Sequence, residues 1–408
     1  MEEHTGASLS PVARCIGGNV VFGAGLFFHA FLYNFYVDAL RLSEAVMGYA
    51  GAALTAGGLV MLLPAGRLVD RFGPRAGMAA AAVVAGVGLA LGAVVVTPWP
   101  MYAAAAVAGA GGALWRVAVA PALMRLTNER TRARAFAWNV GLIVLSGGLG
   151  IAVAGAVPGW FQSVFHVSAI GGVRLALAAG ALATMASVMP FLALSLPVGA
   201  GAARLEGGAE APGGEAPRPG VPGALPFIGI VAVWMLGAAL LAPFLNLYFA
   251  RRYGLSIGGV GGIFAAAHVL WALAVLGSGE IASRAGARWV LPLVALLFAP
   301  AAWGLGMAPG LAFAGVLYLI QGAIGPITNP LIDQVLLADV APDQQGAVSG
   351  WRNVAADVSG MVGASVGGVL LAERGFGLLF GAAGLLGLVG SVALLGWLRR
   401  PAWGKGGH

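Results

Sequence analysis

The sequence predicts an all-α membrane protein: twelve transmembrane helices in two pseudo-symmetric six-helix bundles. Three observations carry this expectation. The composition suits a chain solvated mostly by lipid, the apolar runs have the length of membrane spans, and the second half repeats the first at one fixed offset.

Of the 408 residues, 60% are hydrophobic and 9% charged. A water-soluble domain carries about 25% charged residues, so too few charges are present to cover a water-facing surface. The single cysteine, Cys15, excludes an internal disulfide framework and a cysteine metal cluster. The net charge of +7 rests almost wholly on arginine. The placement of those arginines makes the charge a signal of membrane orientation rather than of nucleic-acid binding.

A helix needs roughly 20 apolar residues to cross about 30 Å of hydrocarbon. Spans of that length fall near 15–37, 45–65, 76–97, 101–122, 135–157, 171–193, 224–249, 257–279, 289–307, 311–335, 346–370 and 376–398. In lipid only helices and closed barrels satisfy their own backbone groups, and runs this continuous read as helices. The first run lacks a small-residue cleavage site behind it and reads as a retained span rather than a signal peptide.

Between the sixth and seventh spans, residues 197–223 are rich in Gly, Pro, Ala and Glu and lack apolar periodicity. They predict a flexible cytoplasmic linker between an N-terminal bundle, 1–196, and a C-terminal bundle, 224–408. With both termini inside, sixteen of the 22 basic residues fall on the inner side and five on the outer, with Arg116 left within a span. Basic residues concentrate on cytoplasmic loops, so this orientation follows.

The repeat is visible around two charged turns. The first reads Gly66-Arg67-Leu68-Val69-Asp70-Arg71-Phe72-Gly73-Pro74-Arg75. Its copy, 213 residues later, reads Gly279-Glu280-Ile281-Ala282-Ser283-Arg284-Ala285-Gly286-Ala287-Arg288. Gly279, Arg284, Gly286 and Arg288 hold the register of Gly66, Arg71, Gly73 and Arg75 without a gap. At the same offset Phe31-Leu32 meets Phe244-Leu245, Leu42-Ser43 meets Leu255-Ser256, and Trp138 meets Trp351. Gly109 and Gly112 meet Gly322 and Gly325, and Ser146, Gly147, Gly150 and Gly155 meet Ser359, Gly360, Gly363 and Gly368. Two parallel halves of this kind form a transporter architecture with its site near the bilayer midplane.

On these residues the sequence resembles the major facilitator superfamily over essentially its whole length. That family's loop between helices two and three, Gly-x-x-x-Asp-Arg-x-Gly-Arg-Arg/Lys, stands here as Gly66, Asp70, Arg71, Gly73 and Arg75, with Pro74 replacing the first closing basic residue. Its degenerate copy between helices eight and nine has Ser283 in place of the Asp. The resemblance implies that helices one, four, seven and ten line the cavity. It also implies that Asp70 faces the start of helix eleven, where an anion is favoured, with Arg352 as partner in a conformational latch. Ala105 stands where the family's antiporter signature has Arg, and Gly150-Ile151 where it has Gly-Pro. Both departures count against drug/proton antiport.

Ionisable residues within spans are costly and mark functional candidates. Arg116 sits in the fourth span; its repeat-mate is Asn329, and Asp333 lies one turn beyond. The readings are an inner gate pair of Arg116 with Asp333, an anion-binding Arg116, and a structural arginine. Asp357 and His268 lie near mid-membrane in spans eleven and eight, where a carboxylate can exchange a proton, and are the coupling candidates; a helix–helix contact is the alternative for each. His29, Tyr33 and Tyr36 share one face of the first span, with Asn34 and Asp38 on a neighbouring face. Tyr33 has Asn246 as repeat-mate. Such an aromatic-polar stripe suits an amphipathic substrate, or, for Tyr36 and Asp38, the outer membrane interface. The glycine clusters read as close helix packing.

The expected function is secondary active transport of a small organic or amphipathic compound by alternating access, with proton-coupled export leading. Organic-anion uptake or exchange on Arg116 is the alternative within transport, and a non-transporting ligand sensor the alternative outside it. No nucleophile–base constellation suggests an enzyme. No metal or cofactor is expected, and ATP is unsupported, since a phosphate loop needs a following lysine and the only lysine is Lys405. The expected partners are a small-molecule substrate, the bilayer and protons, without nucleic acid, for a monomer in the inner or plasma membrane.

Overall fold

The computed structural model describes residues 10–196, 221–338 and 340–399, with only the backbone described over 275–283 and at 285. Among the described residues every regular element is helical, and ten helical stretches are long and apolar enough to cross a membrane. Two of these, Glu44–Val94 and Gln345–Leu398, run 51 and 54 residues and turn at Gly73 and Gly375, so each makes two crossings. The crossings are then twelve. In chain order they are α1 (Pro11–Ala39), α2 (44–72), α3 (74–94), α4 (Pro98–Leu126), α5 (Glu129–Phe165) and α6 (Ala169–Leu192). The second set is α7 (Val221–Tyr253), α8 (Ile257–Ala285), α9 (Ala287–Gly306), α10 (Leu311–Ala338), α11 (345–374) and α12 (376–398).

Local chemistry fixes the ends. Ser10 caps α1 by accepting from Ala13 N at 3.2 Å, and Pro11 occupies the first turn, where its missing N–H is not needed. At α5, Asn128 and Thr131 form a reciprocal capping box. The seventh crossing, expected to be continuous, passes through a 3-10 turn at Ala242–Phe244, where Pro243 removes a backbone donor. The ninth breaks at Leu297, and α5 extends beyond its expected 135–157 at both ends. Of the expected linker, 197–220 lies outside the described residues, and 221–223 open α7.

The repeat extends to backbone conformation. Gly73 and its mate Gly286 have φ of 82° and 81°, and Arg41 and its mate Gly254 have φ of 56° and 65°. Positive φ is unfavourable for most side chains, which accounts for glycine at three of these four turns.

The chain forms two compact units. The first comprises 1–41, 53–202 and 257–265; the second comprises 42–52, 203–256 and 266–408. The opening turns of α2 therefore pack in the second unit and those of α8 in the first. In the second unit a Cβ added to Gly368 of α11 would come 3.0 Å from Gly48 Cα of α2. In the first unit a Cβ added to Gly261 of α8 would come 3.0 Å from Gly155 Cα of α5. These are repeat-equivalent pairs, each mate 213 residues away. Glu44 and Arg251 make an ion pair beside the α2 contact, and Phe31 meets Phe264 at 5.8 Å beside the α8 contact.

Within the first unit α1 packs along α5 and α6. Gly57 and Gly109 bring α2 and α4 to backbone contact, and Gly88 and Gly111 do the same for α3 and α4. In lipid, helices gain little from hydrophobic exclusion, so close backbone packing of this kind supplies much of their association.

Overpacking a tight site typically costs about 1–3 kcal/mol. Gly155→Val and Gly368→Val are each expected to lower the melting temperature of the purified protein by several degrees. Gly112→Val, where an added Cβ meets nothing within 4 Å, should leave it nearly unchanged. Equal melting of all three variants would remove the packing role given to the paired glycines.

Candidate functional site

In the first unit the aromatic-polar stripe of α1 is built against α3. The buried His29 ring lies with Nε2 3.1 Å from Leu89 O, and Tyr36 donates its hydroxyl to Val95 O at 2.9 Å. Tyr33 stacks on His29 with ring centres 5.7 Å apart. Its hydroxyl is buried and makes no hydrogen bond among the described residues. His29 and Tyr36 thus anchor helices, and Tyr33 is the member of the stripe with bonding capacity unspent. Asn34 is buried on the same helix. Arg174 of α6 donates to Ala93 O and Val94 O at 3.2 and 2.8 Å, placing a cation on the carbonyls that end α3.

Sequence reasoning missed a second polar group in this unit. Asn19 of α1 is fully buried and donates to Asn139 Oδ1 of α5 at 2.8 Å. It accepts from Trp115 Nε1 of α4 at 2.9 Å, and Trp115 stacks on Phe22 at 4.6 Å. One amide therefore joins three helices. A signal lay in the repeat register, because Asn139 is the mate of Arg352. Arg116, next to Trp115, is exposed, and a Cβ added to Gly58 of α2 would meet its Nη2 at 3.6 Å.

The second unit holds a charged cluster between α10 and α11. Arg352 donates from Nη2 to Asn329 Oδ1 at 2.6 Å and from Nη1 to Asn353 Oδ1 at 3.1 Å. Its Nε lies 3.4 Å from Asp333 Oδ1. Asn329 and Asp333 stand one helical turn apart, so both reach one guanidinium. Asp333, placed opposite Arg116 in one of the three readings of that arginine, thus has a cation on its own half, and Arg352, implied by the resemblance as the partner of Asp70, is engaged by α10.

Asp357 lies half-buried on α11, five residues beyond Arg352, or about 7.5 Å along the helix. His268 is buried with its ring 4.8 Å from Trp271. Trp271 donates to Leu319 O at 3.3 Å and meets Tyr318, which meets Phe249. Asn246 is buried just after the 3-10 turn of α7 and accepts from Leu247 N at 2.8 Å. At the charged turn, Asp70 is exposed and the Arg71 guanidinium lies 5.2 Å over the Phe72 ring. Arg75 and Arg284 are exposed, Gly66 and Arg288 half-buried, and Gly279 lies within α8.

Removing one partner of a buried hydrogen bond leaves the other unsatisfied at a cost of about 1–3 kcal/mol. Asn139→Ala is expected to destabilise the protein by that amount in reversible denaturant unfolding. Wild-type stability in the variant would mean that Asn19 does not depend on this bond.

The sequence profile described as the Major Facilitator Superfamily matches residues 15–332 and again 227–406. No curated protein matches the chain. Among solved structures, a nucleoside transporter, NupG, superposes with a TM-score of 0.74 at 14% identity, covering 96% of this chain and 100% of that one. A D-xylose-proton symporter gives 0.73 at 16% identity, covering 96% and 97%. A bacterial homologue of the human lysosomal transporter Spinster gives 0.71 at 15%, covering 96% of each. At these identities the likeness is one of fold.

Proposed function

The chain belongs to the major facilitator superfamily, and from that premise we propose that it exports a small amphipathic organic compound in exchange for protons. Its fold is that of secondary transporters working by alternating access, and its structural neighbours are transporters, not enzymes. The observation that supports proton coupling is Asp357, a half-buried carboxylate within an apolar crossing and about 7.5 Å along α11 from Arg352. An intramembrane ionisable group of this kind is retained where ions or protons move.

In this reading Asp357 carries the proton, with His268 in support. Tyr33 and Asn34 of α1 and Asn246 of α7 supply aromatic and polar groups for substrate, while Tyr36, expected among them, holds α1 to the end of α3. Arg116 with Asn329 and Asp333 serve the inner side of the path. The turn from Gly66 to Arg75, with its copy from Gly279 to Arg288, acts as the latch, with Asp70 exchanging for α10 as the partner of Arg352. Two six-helix bundles, 1–196 and 224–408, carry these parts, joined by the 197–223 linker, in a bacterial-type inner or plasma membrane with both termini cytoplasmic.

Two measurements test this. In proteoliposomes, substrate-driven proton movement should fall at least tenfold in Asp357→Asn while counterflow of substrate persists; proton movement equal to wild type would remove Asp357 from coupling. For the latch, Asp70→Asn should shift the balance of inward- and outward-accessible states, read by distance measurements between spin labels on the two halves, and should slow transport severalfold. An unchanged balance would dismiss the latch.

A further inference from the structure

A cleft of about 790 Å³ opens beside the seam between α1 and α5, wholly within the first unit. Its volume lies within the usual range for small-molecule sites of about 300–1,000 Å³. The walls are chemically graded. Arg130, Arg134, Thr127 and Thr131 line the end where α5 begins, and Trp138 and Leu142 continue the same wall deeper along the helix. Ile16 and Val20 of α1 face them from the other wall. From Arg134 to Leu142 the wall extends about 12 Å along the helix axis.

Three features point to one ligand chemistry. Among the described residues no acidic side chain lines the cleft, whereas two guanidiniums do. Arginine is suited to carboxylate, sulfonate and phosphate groups because its planar fork donates two parallel hydrogen bonds. Trp138 is 57% exposed, a large apolar surface left open beside the charges. Gly17 lies on the α1 wall, and an added Cβ there would meet nothing within 4 Å, so the space is open down to the backbone.

We infer that this cleft binds an amphipathic organic anion, its acidic group on Arg130 and Arg134 and its apolar part along Trp138, Leu142, Ile16 and Val20. The inference rests on the transport reading for its meaning, since it names the substrate class loaded from the side on which α1 and α5 begin. The Thr127 hydroxyl donates to Leu123 O at 2.7 Å and the Thr131 hydroxyl to Asn128 Oδ1 at 2.9 Å, which leaves the two guanidiniums to hold the acidic group. Arg116 lies outside the cleft's lining and is not required for this binding.

The test uses the full chain in nanodiscs of zwitterionic lipid, titrated calorimetrically with decanesulfonate and with decyltrimethylammonium, and corrected for partition into empty discs. Decanesulfonate should bind saturably and at least tenfold more tightly than the cation. The double variant Arg130→Gln/Arg134→Gln should weaken the sulfonate tenfold or more. Gly17→Phe, which fills the cleft without removing a charge, should do the same, and both variants should melt like wild type. Equal affinity for anion and cation, or sulfonate affinity unchanged in both variants, would overturn the proposal. Loss of sulfonate binding in discs containing phosphatidylglycerol would assign the cleft to membrane lipid and overturn its role as a substrate site. Binding needs no turnover, so a sound site with no proton-linked flux would reject the transport reading alone, and flux without this binding would reject the cleft alone.

Discussion

The constraint on which the rest of this structure depends is that lipid offers backbone and polar groups no partner. It forces each crossing to be a helix, because a helix alone satisfies its backbone within one segment. It also removes most of the hydrophobic gain from bringing helices together. What remains is contact, and the repeat-equivalent pairs Gly48–Gly368 and Gly155–Gly261 show how close it becomes. A methyl group would clash with backbone at Gly48 and Gly368 and would press on it at Gly155 and Gly261. The opening turns of α2 and α8 are held at these glycines, and at α2 the Glu44–Arg251 ion pair adds to the contact.

The same constraint makes each polar side chain within the spans informative. Asn19 is fully buried and joins α1, α4 and α5 through Asn139 and Trp115. Such a node fixes the rotation of three helices about their axes, which glycine contacts alone leave loose. His29 and Tyr36 spend their hydrogen bonds on carbonyls near the end of α3. The stripe on α1 is therefore partly scaffold, and Tyr33, stacked on His29, is the residue that the scaffold presents.

Much of the fold was legible because its signals are local or periodic. Run length located the crossings, and the 213-residue offset revealed the duplication that recurs in the φ angles of Gly73 and Gly286. The break in α7 was less visible, since Pro243 sits inside a run whose hydropathy is unbroken. Side-chain partners were the least legible. Glu44 and Arg251 are 207 residues apart, and no pattern in either neighbourhood names the other. One of the three readings of Arg116 set Asp333 opposite it, because both spans line the family's cavity; the ion pair that Asp333 makes among the described residues is with Arg352 on the adjacent helix. A helical position names a face, while several residues on neighbouring helices can answer to it.

The two halves also differ where the repeat would make them alike. At two pairs of equivalent positions the first half has Arg116 on α4 and Asn139 on α5, whereas the second has Asn329 on α10 and Arg352 on α11. The arginine and the asparagine have exchanged helices. In the second half they bond each other, and Asp333 balances the charge. In the first half Asn139 turns instead to Asn19, and Arg116 stays exposed beside the bare backbone of Gly58. A duplicated scaffold thus carries a charge-balanced cluster in its second half, where the equivalent positions of the first hold an exposed arginine and a buried amide. The cluster suits a switch whose charges are already matched, so that moving them changes partners without exposing a lone charge to lipid.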